Sequence, residues 1–249
     1  MSVLLDTRFP KLSRTLVLLP FRHMLETALA THAVPSAGIE CSPINPGRID
    51  TMQICCLDLE GVLLPEIWIA VADHFHNDDL RLTTRDISDY DQLMQYRLKI
   101  LRKNRIRLAD IQGIIEGMKP LPGAKAFLDD LRRDFPVVVL LSDTYYEFAM
   151  PLIRKLGNPT LLCNWLTVSR SGYISGYVLR QKDGKRKAVK AFKGIGFGVV
   201  AAGDSYNDLS MLRTADRGVL FNPPDAIAGR YPTFPVARDY PTLARLLKQ

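Results

Sequence analysis

Acidic and hydroxyl side chains follow three apolar runs of the sequence, each at the point where the run stops. Asp58 and Glu60 follow "QICCL", Ser142 and Asp143 follow "PVVVLL", and Asp204 follows "GVVAAG". An aspartate can attack phosphorus directly, and a second acid two residues on can move protons to and from an alcohol or water. Carboxylate oxygens are also the ligands that Mg²⁺ prefers. These residue types therefore indicate metal-dependent phosphoryl chemistry.

The apolar runs alternate with helical stretches along residues 52–249, which is typical of a parallel sheet with helices on both faces. We predict strands in these three runs, in "TLLCN" and in "GVLF", and a β-hairpin around Ser171 and Gly172. Cys55 and Cys56 are adjacent on the first strand and should face opposite sides of the sheet. Ligands of α/β sheets bind beyond the carboxyl ends of the strands. The three strand ends are therefore expected to meet in one acidic, hydroxyl-bearing pocket.

The stretch between the first two strands is mostly helical and is too long for a simple crossover. We predict a small helical cap over residues 65–120, opened by a proline in the first turn of its first helix. The core then comprises residues 52–64 and 121–249. Residues 1–51 carry five prolines and no sustained hydrophobic period apart from a short helical candidate, so they predict a flexible N-terminal extension or a segment that precedes the functional chain.

Two charged residues of the predicted cap are candidates for substrate binding. Arg97 lies within the apolar face of "DQLMQYRLKIL", where an unpaired guanidinium is costly. A substrate carboxylate would be a suitable partner, because arginine binds carboxylates bidentately. Pairing with Asp91 is the alternative. Glu66 is placed to bind a substrate amine, although an acid in a first helical turn also favours the helix dipole.

The composition, with 47% hydrophobic and 24% charged residues, is that of an ordinary globular protein. No run approaches the roughly 18 apolar residues that cross a bilayer, so no membrane partner is expected. The net charge of +7 is spread along the chain, which favours an anionic small molecule over nucleic acid. The four cysteines form no CxxC pair and the match to a signal peptide is poor, so a reducing cytoplasm is the simplest location. A homodimer is left open.

Four segments resemble, in order, the motifs of haloacid dehalogenase-type phosphatases. They are "DLEGV" (58–62), "LSDT" (141–144), a lysine within "QKDGKRKAV" (181–189) and "GDSYND" (203–208). The resemblance extends from about residue 52 to the C-terminus. The wider runs around these motifs are similar to a bacterial subgroup of phosphoserine phosphatases that can also pass the phosphoryl group to homoserine.

The resemblance implies a Mg²⁺ cofactor and a role for each acid of the motifs. Asp58 would be the nucleophile and a metal ligand. Glu60 would be the general acid and base, and its backbone carbonyl would also bind the metal. Asp204 would be a further metal ligand, and Asp208 would support the metal without binding it directly.

The resemblance also implies a phosphate-binding group that includes Ser142 and Asn207. Asp143 is typical of a turn or helix cap, and its backbone N–H is placed to reach the phosphate. The lysine of the third motif completes this group, and its position relative to the apolar face of its helix favours Lys185. Lys182 is the alternative. Both Glu66 and Arg97 correspond to phosphoserine contacts in the subgroup.

The sequence therefore predicts a Mg²⁺-dependent phosphoserine phosphatase that forms an aspartyl-phosphate. The nearest alternative is transfer of the phosphoryl group to homoserine. The family more often has Asp at the position of Glu60, and the two acids have similar reference pKa values, about 4.3 and 3.9. We hypothesise that the extra methylene of Glu60 favours transfer to a second alcohol. A phospho-aspartate receiver domain would be shorter and would lack the helical insert, and a basic nucleic-acid-binding module is disfavoured by the dispersed charge.

Overall fold

The structure, a computed structural model, describes residues 52–83, 86–87 and 89–249. The expectations for residues 1–51 lie outside them.

Seven strands form one sheet within the described ranges, and they are β1 (Gln53–Leu57), β2 (Val137–Tyr145), β3 (Thr160–Val168), β4 (Ile174–Val178), β5 (Gly198–Gly203), β6 (Arg217–Phe221) and β7 (Val236–Ala237). Their order in the sheet is β4-β3-β2-β1-β5-β6-β7. Neighbouring strands are parallel except for the antiparallel pair β3–β4. That pair is the predicted hairpin, and Gly172 takes a positive φ of 83° in its turn.

Nine α-helices accompany the sheet in the same part of the chain. They are α1 (Ile67–Phe75), α2 (Tyr90–Lys103), α3 (Leu108–Gly117), α4 (Ala124–Asp134), α5 (Tyr146–Lys155), α6 (Gly184–Gly194), α7 (Leu209–Thr214), α8 (Asp225–Arg230) and α9 (Tyr240–Lys248). Short 3₁₀ turns lie at Asp78–Arg81 and Tyr206–Asp208. No helix of the described residues is long and apolar enough to span a bilayer.

The order of the strands determines where a ligand can bind. The central strand β1 pairs with β2 on one side and with β5 on the other. The first strands after β1 therefore extend the sheet on one side of it, and the later strands extend it on the other side. The carboxyl ends of β1, β2 and β5 are therefore neighbours, at the kind of topological switch point where α/β sheets bind ligands. Helices α1, α2 and α3 are inserted between β1 and β2, which agrees with the predicted helical insertion.

Apolar side chains cover both faces of the sheet. Cys55 belongs to the larger hydrophobic cluster, which also includes buried residues of the inserted helices such as Met94 and Ile111. Cys56 belongs to the cluster on the other face, together with Ala188 and Val189 of α6. The predicted opposite orientation of the two cysteines is confirmed. The core and cap boundaries given above stay a prediction.

Candidate active site

Asp58 lies directly beyond the central strand β1, and a hydrogen bond to the neighbouring strand β5 holds its backbone. Its backbone N–H donates to the carbonyl of Ala202 on β5 at 2.9 Å, and its side chain is buried. Gly61 follows with a φ of +78°, a conformation that glycine adopts without steric cost. A Cβ at Gly61 would lie 2.5 Å from Cγ of Asp204. The turn after β1 therefore needs glycine in order to bring Asp58 and Asp204 together.

Lys185 is buried in the first turn of α6 and lies between carboxylates. Its Nζ is 2.8 Å from Oδ1 of Asp58, 2.7 Å from Oδ1 of Asp208 and 3.9 Å from Oδ2 of Asp143. Burial alone would lower the pKa of Lys185, but these carboxylates outweigh it and hold the pKa above its ordinary value. The alternative, Lys182, is exposed. The structure therefore places Lys185 with the other predicted site residues.

Three carboxylates form a compact cluster beside this lysine. One oxygen each of Asp58, Asp204 and Asp208 lies within 4.8 Å of the others. Asp208 is fully buried and accepts the backbone N–H groups of Asp204 and Ser205 at 3.0 and 3.1 Å. Burial and the Asp208 charge raise the pKa of Asp204 to about 7, and the same two causes raise the pKa of Asp58. A divalent cation that takes oxygen ligands would relieve this repulsion, so the residues fit Mg²⁺.

Ser142, one of the predicted phosphate-binding residues, lies in an irregular part of β2. The pairing of β2 with β3 shifts register between Leu141 and Tyr145, and such irregularities often redirect side chains next to active sites. Ser142 lies in this segment and is buried, with its Oγ accepting the N–H of Thr144 at 3.2 Å.

Asn207 and Asp143, two further predicted phosphate-binding residues, contact each other through their side chains. Nδ2 of Asn207 donates to Oδ2 of Asp143 at 3.0 Å. The backbone carbonyl of Asp143 accepts from Nδ2 of Asn164 at 2.9 Å, which fixes the backbone of this segment. Residues separated by more than 60 positions in sequence are thus brought together as predicted, although their roles stay predictions.

Glu60 projects from the turn after β1 towards the first helix of the cap. Its Oε2 accepts the backbone N–H of Ile67 at 3.0 Å, in the first turn of α1. Burial, followed by the charge of Glu66, raises the pKa of Glu60 to about 7. A carboxyl group with a pKa near neutrality can donate and accept a proton at that pH.

Arg97 forms the cap side of the site and is only partly satisfied. Its guanidinium lies 4.4 Å from the centre of the Trp68 ring, and Nη2 donates to the carbonyl of Leu82 at 2.7 Å. Nε is buried and has no hydrogen-bond partner within the described ranges. No ion pair joins Arg97 to Asp91, the cap carboxylate offered as the alternative partner, within the described residues, and Asp91 accepts a hydrogen bond from the Tyr177 hydroxyl.

A cavity of about 350 Å³ connects these groups. Its walls include every predicted site residue except Asp208, which lies fully buried behind them. Glu66 lines the cavity and is exposed. The wall also contains seven polar or aromatic residues with no role predicted from the sequence, which are Trp68, Thr83, Tyr90, Thr144, Tyr145, Ser205 and Tyr206.

Their positions in the sequence carried a weak signal. Thr144 is the last residue of the second motif and Tyr145 directly follows it, and Tyr90 precedes Arg97 by seven residues, which is about two turns of helix.

The chain matches the haloacid dehalogenase-like hydrolase family over residues 52–216. This match covers more than half of its 249 residues, and the protein belongs to that family. It is 54% identical over 194 residues to the phosphoserine phosphatase ThrH of Pseudomonas aeruginosa, which covers 78% of this chain and 94% of that protein. It is 52% identical over the same length to a phosphoserine phosphatase of Pseudomonas syringae pv. tomato, covering 81% of that protein.

Solved structures agree with the fold. A phospho-aspartyl intermediate analogue of phosphoserine phosphatase superposes with a TM-score of 0.65 at 18% identity, covering 80% of this chain and 100% of that chain. Phosphoserine phosphatase from T. onnurineus superposes with a TM-score of 0.60 at 24% identity, covering 80% of this chain and 96% of that chain. At these identities, the likeness establishes the architecture.

Proposed function

We propose that this protein is a Mg²⁺-dependent phosphatase of O-phospho-L-serine that acts through an aspartyl-phosphate on Asp58. The observation that carries the proposal is a single cavity with two ends. Asp58, Lys185 and the carboxylate cluster form one end, and the partly unpaired Arg97 forms the other. The names of two relatives, at 54% and 52% identity, support the same substrate.

The carboxylates of Asp58 and Asp204 and the backbone carbonyl of Glu60 would hold the Mg²⁺ ion, supported by Asp208. When bound, the ion would offset the negative charge shared by these carboxylates and the substrate phosphate. Lys185 and Ser142 bind the phosphate oxygens, and the ammonium group of Lys185 stabilises the charge that spreads over them during transfer. The ion pair between Lys185 and Asp58 keeps the nucleophile oriented while the site is empty of substrate.

In the first step, a carboxylate oxygen of Asp58 attacks phosphorus and the ester bond between phosphorus and the serine oxygen breaks. Protonated Glu60 gives its proton to the departing serine oxygen. In the second step, Glu60 takes a proton from water, the water oxygen attacks phosphorus, and the bond to Asp58 breaks. Inorganic phosphate leaves, and both carboxyl groups return to their initial states.

The other end of the cavity binds the amino acid part of the substrate. Arg97 pairs with the carboxylate, which supplies the partner that its Nε lacks among residues 52–83, 86–87 and 89–249. Glu66 binds the ammonium group from the exposed rim of the same cavity. Phosphoserine carries both charges together with the phosphate, so one molecule satisfies both ends of the cavity.

The alternative within this scheme is homoserine as a second acceptor, an alcohol that takes the place of water in the second step. The Glu60 side chain, which is one methylene longer than Asp, reaches the first turn of α1 and accepts the backbone N–H of Ile67 there. A Glu60→Asp variant is expected to change the ratio of homoserine phosphate to free phosphate. An unchanged ratio would remove any role of the extra methylene in choosing the acceptor.

The proposal also includes a core of residues 52–64 and 121–249, a cap of residues 65–120, and a cytoplasmic location. Three cysteines of the described residues, Cys55, Cys56 and Cys163, are buried free thiols, which suits a reducing compartment. A homodimer stays a prediction.

Phosphate release from a panel of phosphorylated metabolites, with Mg²⁺ and with EDTA, tests the proposal. We expect phosphoserine to be the preferred substrate, activity to be lost in EDTA, and Asp58→Asn to lose at least about 10³-fold in kcat. Adding homoserine and looking for homoserine phosphate separates transfer from hydrolysis. Full turnover by Asp58→Asn, or preference for a phosphate ester without a carboxylate, would overturn the proposal.

A further inference from the structure

Two tyrosine hydroxyls meet in the wall of the cavity, where cap and sheet come together. Tyr90 is the first residue of α2 and Tyr145 is the last residue of β2. Their hydroxyl oxygens are 2.7 Å apart. Tyr145 is almost completely buried, at 1% exposure, and both residues line the cavity. The reaction scheme above uses neither hydroxyl.

Counting hydrogen-bond donors shows which of the two hydroxyls is available to a ligand. The pair has two hydroxyl hydrogens, and one of them lies between the two oxygens. Within the described ranges, Tyr145 has no other hydrogen-bond partner for its hydroxyl, so it is best satisfied by donating to Tyr90. The hydrogen of Tyr90 then has only a long contact, 3.4 Å, with the carbonyl of Asp143. Tyr90 therefore presents a poorly satisfied donor at the cavity wall.

The same face of α2 carries a second poorly satisfied donor. Tyr90 and Arg97 are seven residues apart, nearly two helical turns, and both line the cavity. Among the residues that the structure describes, the buried Nε of Arg97 has no hydrogen-bond partner. Two donors without good acceptors, one of them positively charged, are suited to a carboxylate, which can accept several hydrogen bonds.

We infer that Tyr90 is a specificity-determining residue, whose hydroxyl binds the substrate carboxylate together with Arg97. The inference rests on the proposed function and extends it. The enzyme would select phosphate monoesters that carry a carboxylate, and the Tyr145 hydroxyl would position the Tyr90 hydroxyl for this contact.

The test compares phosphoserine with phosphoethanolamine, which has the same phosphate and amine but no carboxylate. Tyr90→Phe removes the hydroxyl and keeps the ring. Loss of a hydrogen bond to a charged group is expected to lower kcat/KM for phosphoserine by roughly 10- to 100-fold, with little change for phosphoethanolamine. The activity on phosphoethanolamine also shows that the variant is folded.

Tyr177→Phe is the matched control. Tyr177 packs about 6.0 Å from the rings of both Tyr90 and Tyr145, but its hydroxyl donates to Asp91 and does not line the cavity. We expect this variant to keep the selectivity of the unmodified enzyme. Tyr145→Phe leaves the donor of Tyr90 in place and should lose less selectivity than Tyr90→Phe.

The possible outcomes separate the inference from the proposed function. If the unmodified enzyme does not prefer phosphoserine, the proposed function fails and the inference fails with it. If the enzyme prefers phosphoserine but Tyr90→Phe lowers both activities equally, or neither, only the inference is overturned. Equal losses of selectivity in Tyr90→Phe and Tyr145→Phe would also overturn it, since the hydroxyl pair would then serve the structure alone.

Discussion

The two ends of the cavity differ in how well their buried charges are paired. We call the end with Asp58, Lys185 and Asp208 the sheet end, and the end with Arg97 the cap end. At the sheet, Lys185 lies within 2.8 Å of two carboxylates, and Asp208 also accepts two backbone N–H groups. At the cap, the guanidinium of Arg97 contacts one backbone carbonyl, the sulfur of Met94 at 3.8 Å and one aromatic ring, and its Nε has no partner in the described part of the chain.

This difference separates two tasks. The groups that carry out phosphoryl transfer must keep a fixed geometry, so their charges compensate each other before substrate arrives. The group that recognises the substrate keeps an unsatisfied donor, because an unpaired buried polar group gains most from a ligand that pairs with it. The comparison predicts that variants at the sheet end lose stability, whereas variants at the cap end lose selectivity.

Lys185→Met is expected to have the largest effect on stability. It leaves the facing carboxylates of Asp58 and Asp208 without their cation, and removing one partner of a buried ion pair costs about 3–5 kcal/mol. Urea unfolding in EDTA measures this cost without compensation by a bound metal. Lys182→Met is the matched control, with an expected change within about 0.5 kcal/mol because Lys182 is exposed. Equal stability of the two variants would contradict the account of the sheet end.

Mg²⁺ should stabilise the folded protein, because the carboxylate cluster repels itself without a cation. At 100 times the dissociation constant, a ligand of the folded state alone adds about 2.7 kcal/mol. Thermal unfolding with and without Mg²⁺ measures this gain, which does not depend on activity. Asp204→Asn should remove most of it. If the gain from Mg²⁺ is the same in Asp204→Asn, then Asp204 does not bind the metal.

Arg97→Met is expected to have the smallest effect on stability. It removes a guanidinium that is poorly satisfied, so the free energy of unfolding should change by no more than about 1 kcal/mol. In contrast, kcat/KM for phosphoserine should fall by about 10²-fold or more, since the substrate carboxylate loses its charged partner. Activity on phosphoethanolamine should be much less affected. A loss of stability as large as that of Lys185→Met would remove the distinction between the two ends.

Much of the sheet end could be predicted from the sequence. Parallel strands bring their carboxyl ends to one edge, so Asp58, Ser142 and Asp204 were expected to meet before any coordinates were known. The apolar face of α6 indicated Lys185 rather than Lys182, and the structure buries Lys185 against Asp58 and Asp208.

The cap end was harder to predict. The contact of Tyr90 with Tyr145 depends on the path of β2, which continues past the second motif, and on how α2 docks against it. The contact between Trp68 and Arg97 likewise joins two separate helices, α1 and α2, so no hydrophobic pattern within one helix predicts it. The sequence analysis also missed β7, α8 and α9. β7 is only two residues long and follows a proline, too short for an alternating pattern.

Rapid acid quenching during turnover of phosphoserine, followed by mass spectrometry of the protein, tests the central claim most directly. The account predicts a phosphoryl group on Asp58 that appears before free phosphate and is absent from Asp58→Asn. A phosphoryl group on another residue, or steady turnover with no phosphorylated protein at any time, would contradict it.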